Sequence, residues 1–330
     1  MKSSRILTRV IIFAASISLI AAAAEKVSIH EWDVPTAKSF PHDPAVGPDG
    51  SLWFTGMMSN TLGRLDLTSG RIKEYHLKTP DSGPHGLTAD KEGNIWFTAN
   101  YKGYIGKLNP QSNEITEYPM PDPAAGDPHS LVFDDNGIIW FTVQLGNFVG
   151  RLDPRTGAIV LKSSPTLDSK PYGIVVSSTG IPFFCEFGTN KIASIDPQTM
   201  KITEYKLPKR ARPRRLVITR DDLIYYTDFS RGYLGRLDPK SSRVDEWPSP
   251  GGPAARPYGI AVTADGMIWY SESGVTPNTV VRFDPALNQL SSWAVPSGGG
   301  VIRNMAATPR GDIYIACSGA NKIGIVRVER

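Results

Sequence analysis

The 330-residue sequence has two cysteines, five histidines and, beyond its first two dozen residues, no long apolar run. Each scarcity excludes something. A membrane-spanning helix needs about 20 consecutive apolar residues, so the body of the chain holds none. Cys185 and Cys317 have no zinc-type spacing and lie in repeats far apart around the architecture derived below. Both read as small buried residues rather than a disulfide. Net charge is scarce too. Removing Lys2, Arg5 and Arg9 from the 36 basic residues leaves 33 against 32 acidic ones, without the basic excess of a nucleic-acid binder.

The one apolar run that exists reads as an address. Lys2, Arg5 and Arg9 precede Val10 to Ile20, and Ala21 to Ala24 follow as a small-residue cleavage site. This is the order of a secretory signal peptide. The expectation is a cleaved segment 1–24 and a single domain over 25–330, secreted or periplasmic, with no membrane contact after cleavage.

What the sequence has in abundance is repetition. "PHGLTADKEGNIWFTAN" begins at Pro84, "PHDPAVGPDGSLWFTGM" at Pro41 and "PHSLVFDDNGIIWFTVQ" at Pro128. Aligned on the residue after the first proline, the series continues as His42, His85, His129, Tyr172, Arg214, Tyr258 and Arg303, at spacings of 42 to 45 residues. Each copy carries a turn, an aromatic strand such as Trp96-Phe97-Thr98, and two further short strands. Four short strands per 40 to 45 residues is the signature of a β-propeller. The fold class expected is therefore all-β, a seven-bladed propeller of four-stranded blades. The seventh copy stops after three strands, while Val27 to Pro35 resembles the fourth strand of other copies. The N-terminal strand is expected to complete blade 7 and close the ring, which removes exposed sheet edges.

Most repeated residues are structural. Gly50, Gly93, Gly137 and Gly311 suit tight turns, and the Asp-Pro pairs at 153–154, 196–197, 238–239 and 284–285 start turns after the third strand. The aligned series differs, because the innermost strand of each blade lines the central channel. The residue fourteen positions on belongs to a loop at the same end: Gly56, Ala99, Val143, Glu186, Asp228, Glu272 and Cys317. Titratable groups converging in a concavity mark a ligand site. On this reading His42, His85, His129 and Glu272 are the candidate catalytic residues, and Glu186, Asp228 and Glu272 the candidate metal ligands. Tyr172, Arg214, Arg215, Tyr258 and Arg303 are the candidate ligand-binding residues. The run "KRARPRR" at 209–215, with Arg256 and Arg303, suits a small anionic or carbonyl-rich ligand. The competing reading is that the imidazoles cap strands and the arginines pair with Glu186 and Asp228. Nothing calls for a nucleic-acid partner, and a monomer is expected.

The words "PHGLTADKEGNIWFTAN", "PYGIAVTADGMIWYSES" and "SGANKIGIVRV" carry a resemblance to the streptogramin B lyases, also called virginiamycin B lyases, over nearly all of residues 27–330. The resemblance implies a Mg²⁺-assisted carbon–oxygen lyase that opens a cyclic ester by elimination. A metal would polarise the ester while a histidine takes the proton α to a carbonyl. The family motif places acid-x-His at the opening of the seventh repeat, an acid fourteen residues later and a ligand-contacting histidine in the sixth. Here those positions hold Val301 and Arg303, Cys317, and Tyr258. Arginine stays protonated and cannot be the base, while Val301 and Cys317 cannot hold Mg²⁺, which takes oxygen ligands. Two expectations follow. Either lyase or lactonase/esterase-like chemistry has moved around the ring to the histidines and acids named above, or the propeller binds a ligand or protein without turnover.

Overall fold

Short apolar strands joined by tight turns can bury their faces only by stacking as sheets, and the computed structural model shows how these do so. It describes residues 26–329, so the expected signal segment lies outside the described residues. These form seven four-stranded antiparallel sheets, with two single-turn 3₁₀ segments at Pro123–Ala125 and Gly252–Ala254. Blades 1 to 6 span 41–76, 84–119, 128–163, 171–206, 213–248 and 257–294, each in the strand order of the chain. Blade 7 takes three strands from 302–329 and its outermost from Lys26–Asp33. That closing strand pairs from Lys26 opposite Glu329 to Asp33 opposite Lys322. Closure continues past the strand, where the Asn321 side chain receives the Ser39 N–H at 2.8 Å and the Tyr314 hydroxyl donates to the Gly50 carbonyl at 2.5 Å.

The second strand of every blade is buried along its whole length. Its aromatic side chains supply the contacts between sheets. Trp53, Leu62 and Tyr75 of blade 1, for example, form one cluster with Leu87, Ile95 and Phe97 of blade 2. The ring of Phe97 lies across Gly106, its partner on the third strand, where any added Cβ would overlap it. The Asp-Pro turns form as read: Asp153, Asp196, Asp238 and Asp284 each accept the N–H two residues on. Both cysteines are free and buried.

The first strands contact one another in succession, including the last with the first, and so surround the axis. Each pairs its leading residue with the end of the second strand, Pro41 opposite Gly56 through Ile302 opposite Cys317. The register then shifts over the next two residues in all seven blades. This irregularity places the aligned series at one end of the channel.

Candidate functional site

A shifted register leaves backbone groups without sheet partners, and these must be satisfied in some other way. A hydroxyl one residue before the end of the second strand does so. Thr142 accepts the Ser130 N–H at 3.3 Å and donates to the Tyr172 carbonyl of the next blade at 2.6 Å. Thr55, Thr98, Thr227 and Ser271 make the same double link between their own first strand and the next. The belt is interrupted at Cys185 and Ala316, which stand in the equivalent places. Thr142→Val should therefore lose about 1–3 kcal/mol of stability, because two buried backbone groups lose their partner. Urea denaturation checks this, and an unchanged midpoint would show that the belt does not contribute.

On this belt the aligned side chains, together with Phe40, form a closed ring of contacts. His42 meets His85 at a centroid distance of 3.8 Å, His85 meets His129 at 3.9 Å, and His129 meets Tyr172 at 3.8 Å. The Tyr172 and Tyr258 hydroxyls lie 2.5 Å apart. Arg214 sits 3.7 Å from the Tyr258 ring centre, with Phe229 at 4.2 Å and Phe187 at 4.8 Å. Arg303 lies 5.9 Å from the same tyrosine ring and 4.8 Å from Phe40, whose ring neighbours His42.

The three imidazoles and both tyrosines are buried. Burial first, then the positive charges of Arg303, Arg215 and Arg214, pushes His42 well below the usual imidazole range. Burial likewise depresses His85 and His129, and it raises the Tyr172 hydroxyl. The contact of His42 Nδ1 with Asp43 at 2.9 Å is thus a hydrogen bond donated by a neutral ring. His85 Nδ1 lies 3.2 Å from the His129 carbonyl, and a carbonyl only accepts, so that nitrogen also carries the proton.

A second layer crosses the channel. The Arg215 guanidinium donates to Asp43 at 2.8 Å and to the Ser130 hydroxyl at 3.0 Å, while Asn304 donates to the other Asp43 oxygen at 3.0 Å. Four blades thereby share one buried network. Sequence reasoning placed Arg215 at the mouth but missed Asp43, Ser130 and Asn304. A signal existed, because the position after each aligned residue is glycine in blades 2, 4 and 6 (Gly86, Gly173, Gly259) and polar in the other four.

The acids expected at the mouth lie elsewhere, which corrects the reading of Glu186, Asp228 and Glu272 as metal ligands facing the histidines. Side chains alternate along a strand. With the belt residue turned toward the next blade, the residue after it turns the other way, into the loops. Glu186 accepts from Ser164 at 2.6 Å, and burial raises its carboxyl above the usual range. Asp228 accepts the Arg212 N–H at 3.0 Å and pairs with Arg231 at 2.5 Å. Glu272 accepts from Ser249 and the Gly251 N–H, both at 2.6 Å, and from Thr279. Glu272 is therefore no partner for a catalytic histidine. Nor do Arg214 and Arg215 neutralise Glu186 and Asp228.

Among the described residues, His42, Asp43 and His85 are grouped tightly enough to consider for a metal. They do not fit Mg²⁺. Two imidazoles and one carboxylate are a poor set for an ion that takes oxygen ligands, and both carboxylate oxygens already accept from Arg215 and Asn304.

What stays open at the mouth is positive charge. Arg215, Arg231 and Arg236 have carboxylate partners. Arg214 and Arg303 are half-buried, lie only against aromatic rings among the described residues, and each keeps a buried Nε without a hydrogen-bond partner. Exposed Arg256 approaches Phe229 at 5.9 Å from the same side. Guanidinium groups without anions beside partly exposed Phe40, Phe187 and Phe229 are equipped to receive an anion.

The virginiamycin B lyase family matches the chain over residues 13–186 and 165–330. No curated protein sequence matches it. Similar solved structures include a streptogramin B lyase, 29% identical with a TM-score of 0.84, covering 92% of this chain and 98% of that one. A selenomethionine-substituted virginiamycin B lyase from Staphylococcus aureus is 27% identical with a TM-score of 0.83, covering 92% and 100%. A catalytically inactive His-to-Ala variant of the Staphylococcus aureus virginiamycin B lyase, with quinupristin, is 25% identical with a TM-score of 0.82, again covering 92% and 100%.

Proposed function

The chain belongs to the virginiamycin B lyase family, and we propose that it is an exported member whose channel mouth binds an anionic small molecule without performing the metal-assisted elimination. The observation that carries this reading is the pair Arg214 and Arg303, which lie against aromatic rings and lack carboxylate partners among the described residues. Retaining such cations costs stability, and a bound anion would offset that cost. Arg303 occupies the place where the family motif has its histidine, so the base is replaced by a permanent cation. The other imidazoles do not substitute for it. His42, His85 and His129 are buried in a stack, and burial holds each well below the usual imidazole range, which makes them weak bases. Export is supported by the residue order of segment 1–24.

The test uses the purified mature chain. Small carboxylates and phosphates should raise its melting temperature by mass action, and Arg303→Ala should abolish the rise. The same variant without ligand should melt at or above the parent, since it removes an unpaired cation. Quinupristin incubated with the protein and Mg²⁺ should be recovered unopened by chromatography. Ring opening would overturn the proposal, as would a panel of anions that leaves the melt unmoved.

A further inference from the structure

Resting on that reading, we infer that Arg214 and Arg303 are two arms of one clamp for a doubly charged oxyanion with the chemistry of a phosphate monoester, whose organic part is a flat apolar body seated on Phe187 and Phe229. Both guanidiniums lie over the same ring, 3.7 and 5.9 Å from the centre of Tyr258. They approach Tyr258 from the blades on either side of it, and the carboxylates that could pair with them are committed: Asp43 to Arg215, Asp228 to Arg231, Glu186 and Glu272 to loop hydroxyls. A monocarboxylate would neutralise one arm. A phosphate monoester carries about −1.5 to −2 charge at pH 7 and three acceptor oxygens, enough for both.

Orientation favours the same ligand. Each guanidinium lies against aromatic rings, which accept no N–H···O bond, and neither has a carboxylate partner among the described residues, so its terminal N–H groups are left for hydrogen bonding. Phe187 and Phe229 meet at 6.0 Å and are only partly covered, so an aromatic or similarly flat group can complete the packing. On the opposite side Phe40 holds φ at 57°. The equivalent position is left-handed in other blades too, at Lys170, Arg256 and Val301, so the conformation belongs to the repeat, and blade 1 uses it to carry a ring that lies against Arg303.

Isothermal titration with phenyl phosphate, inorganic phosphate and benzoate tests the clamp, on the parent and on Arg214→Ala, Arg303→Ala and the double variant. Phenyl phosphate should bind at least about ten-fold more tightly than either other probe, as expected for bidentate charged contacts plus stacking. Each single variant should lose at least about ten-fold, and the double variant less than the product of the single losses, because the arms share one ligand. Arg214→Lys and Arg303→Lys keep the charge and lose the fork, and should also weaken binding. Melting temperatures of the free variants, expected at or above the parent's, separate lost contact from lost fold. Equal affinity for benzoate and phenyl phosphate, with only one arginine mattering, would sink the clamp and leave a simple anion site. Inorganic phosphate binding as tightly as phenyl phosphate would remove the aromatic seat. No binding of phenyl phosphate at millimolar concentration overturns the clamp, whatever other anions do in the melting titration.

Discussion

Asp43→Ala should lower the unfolding free energy by about 3–5 kcal/mol, the usual consequence of leaving one charge of a buried pair uncompensated. Asp43 and Arg215 are 2% and 5% exposed. The carboxylate is the common acceptor for Arg215, Asn304 and His42, so its removal orphans groups from three blades. The pair as a whole is worth far less than this loss suggests, because burying two charges costs nearly what their attraction returns. Replacing both, as Asp43→Ala with Arg215→Met, should recover most of the stability lost in the single variant. Guanidinium denaturation of the four proteins in the cycle provides the check. A single variant within about 1 kcal/mol of the parent would mean that water or a rearranged side chain solvates Arg215.

Acid should destabilise the protein before its carboxylates titrate. In the unfolded chain His42, His85 and His129 take up protons as pH falls through about 6.5. In the fold each is held well below that value, by burial first and then by neighbouring positive charge or, for His85 and His129, the adjacent imidazole. The unfolded state therefore binds more protons below pH 6.5, and stability falls from there down to the depressed folded values. Well above pH 6.5 the three rings are neutral in both states and contribute no pH dependence. Linkage sets the slope at about 1.4 kcal/mol per pH unit for each ring, or about 4 for the three together. Urea midpoints at pH 7.5, 6.5 and 5.5 should show a fall over the second interval about three times that over the first. His129→Gln should remove about a third of that slope. A flat profile down to pH 5.5 would mean that the stack accepts protons in the folded state.

The sequence could be read this far because most of it is one unit written seven times. Period, strand length and turn chemistry are local properties, and a four-stranded unit that cannot bury its own faces must stack on copies of itself. The ring, its closure by Lys26–Asp33 and the meeting of the aligned residues at one end of the channel follow from that alone. The positive side of the mouth was equally legible, since Arg214 and Arg303 stand where other copies have histidine or tyrosine.

The acids could not be placed from the chain. Glu186, Asp228 and Glu272 are adjacent in sequence to belt residues, yet strand alternation sends neighbouring side chains to opposite faces. Only the register of the second strand against its partners fixes which residue faces the channel. The same holds for Asp43 and Arg215, 172 residues apart along the chain and brought together by the curvature of the ring. Thus the sequence by itself determined the repeat, the number of blades and the meeting of the aligned first-strand residues at the axis, because those depend on local pattern. Tertiary structure decided which charges are neutralised within the protein and which are left for a ligand, because pairing across the channel depends on distances that no local pattern encodes.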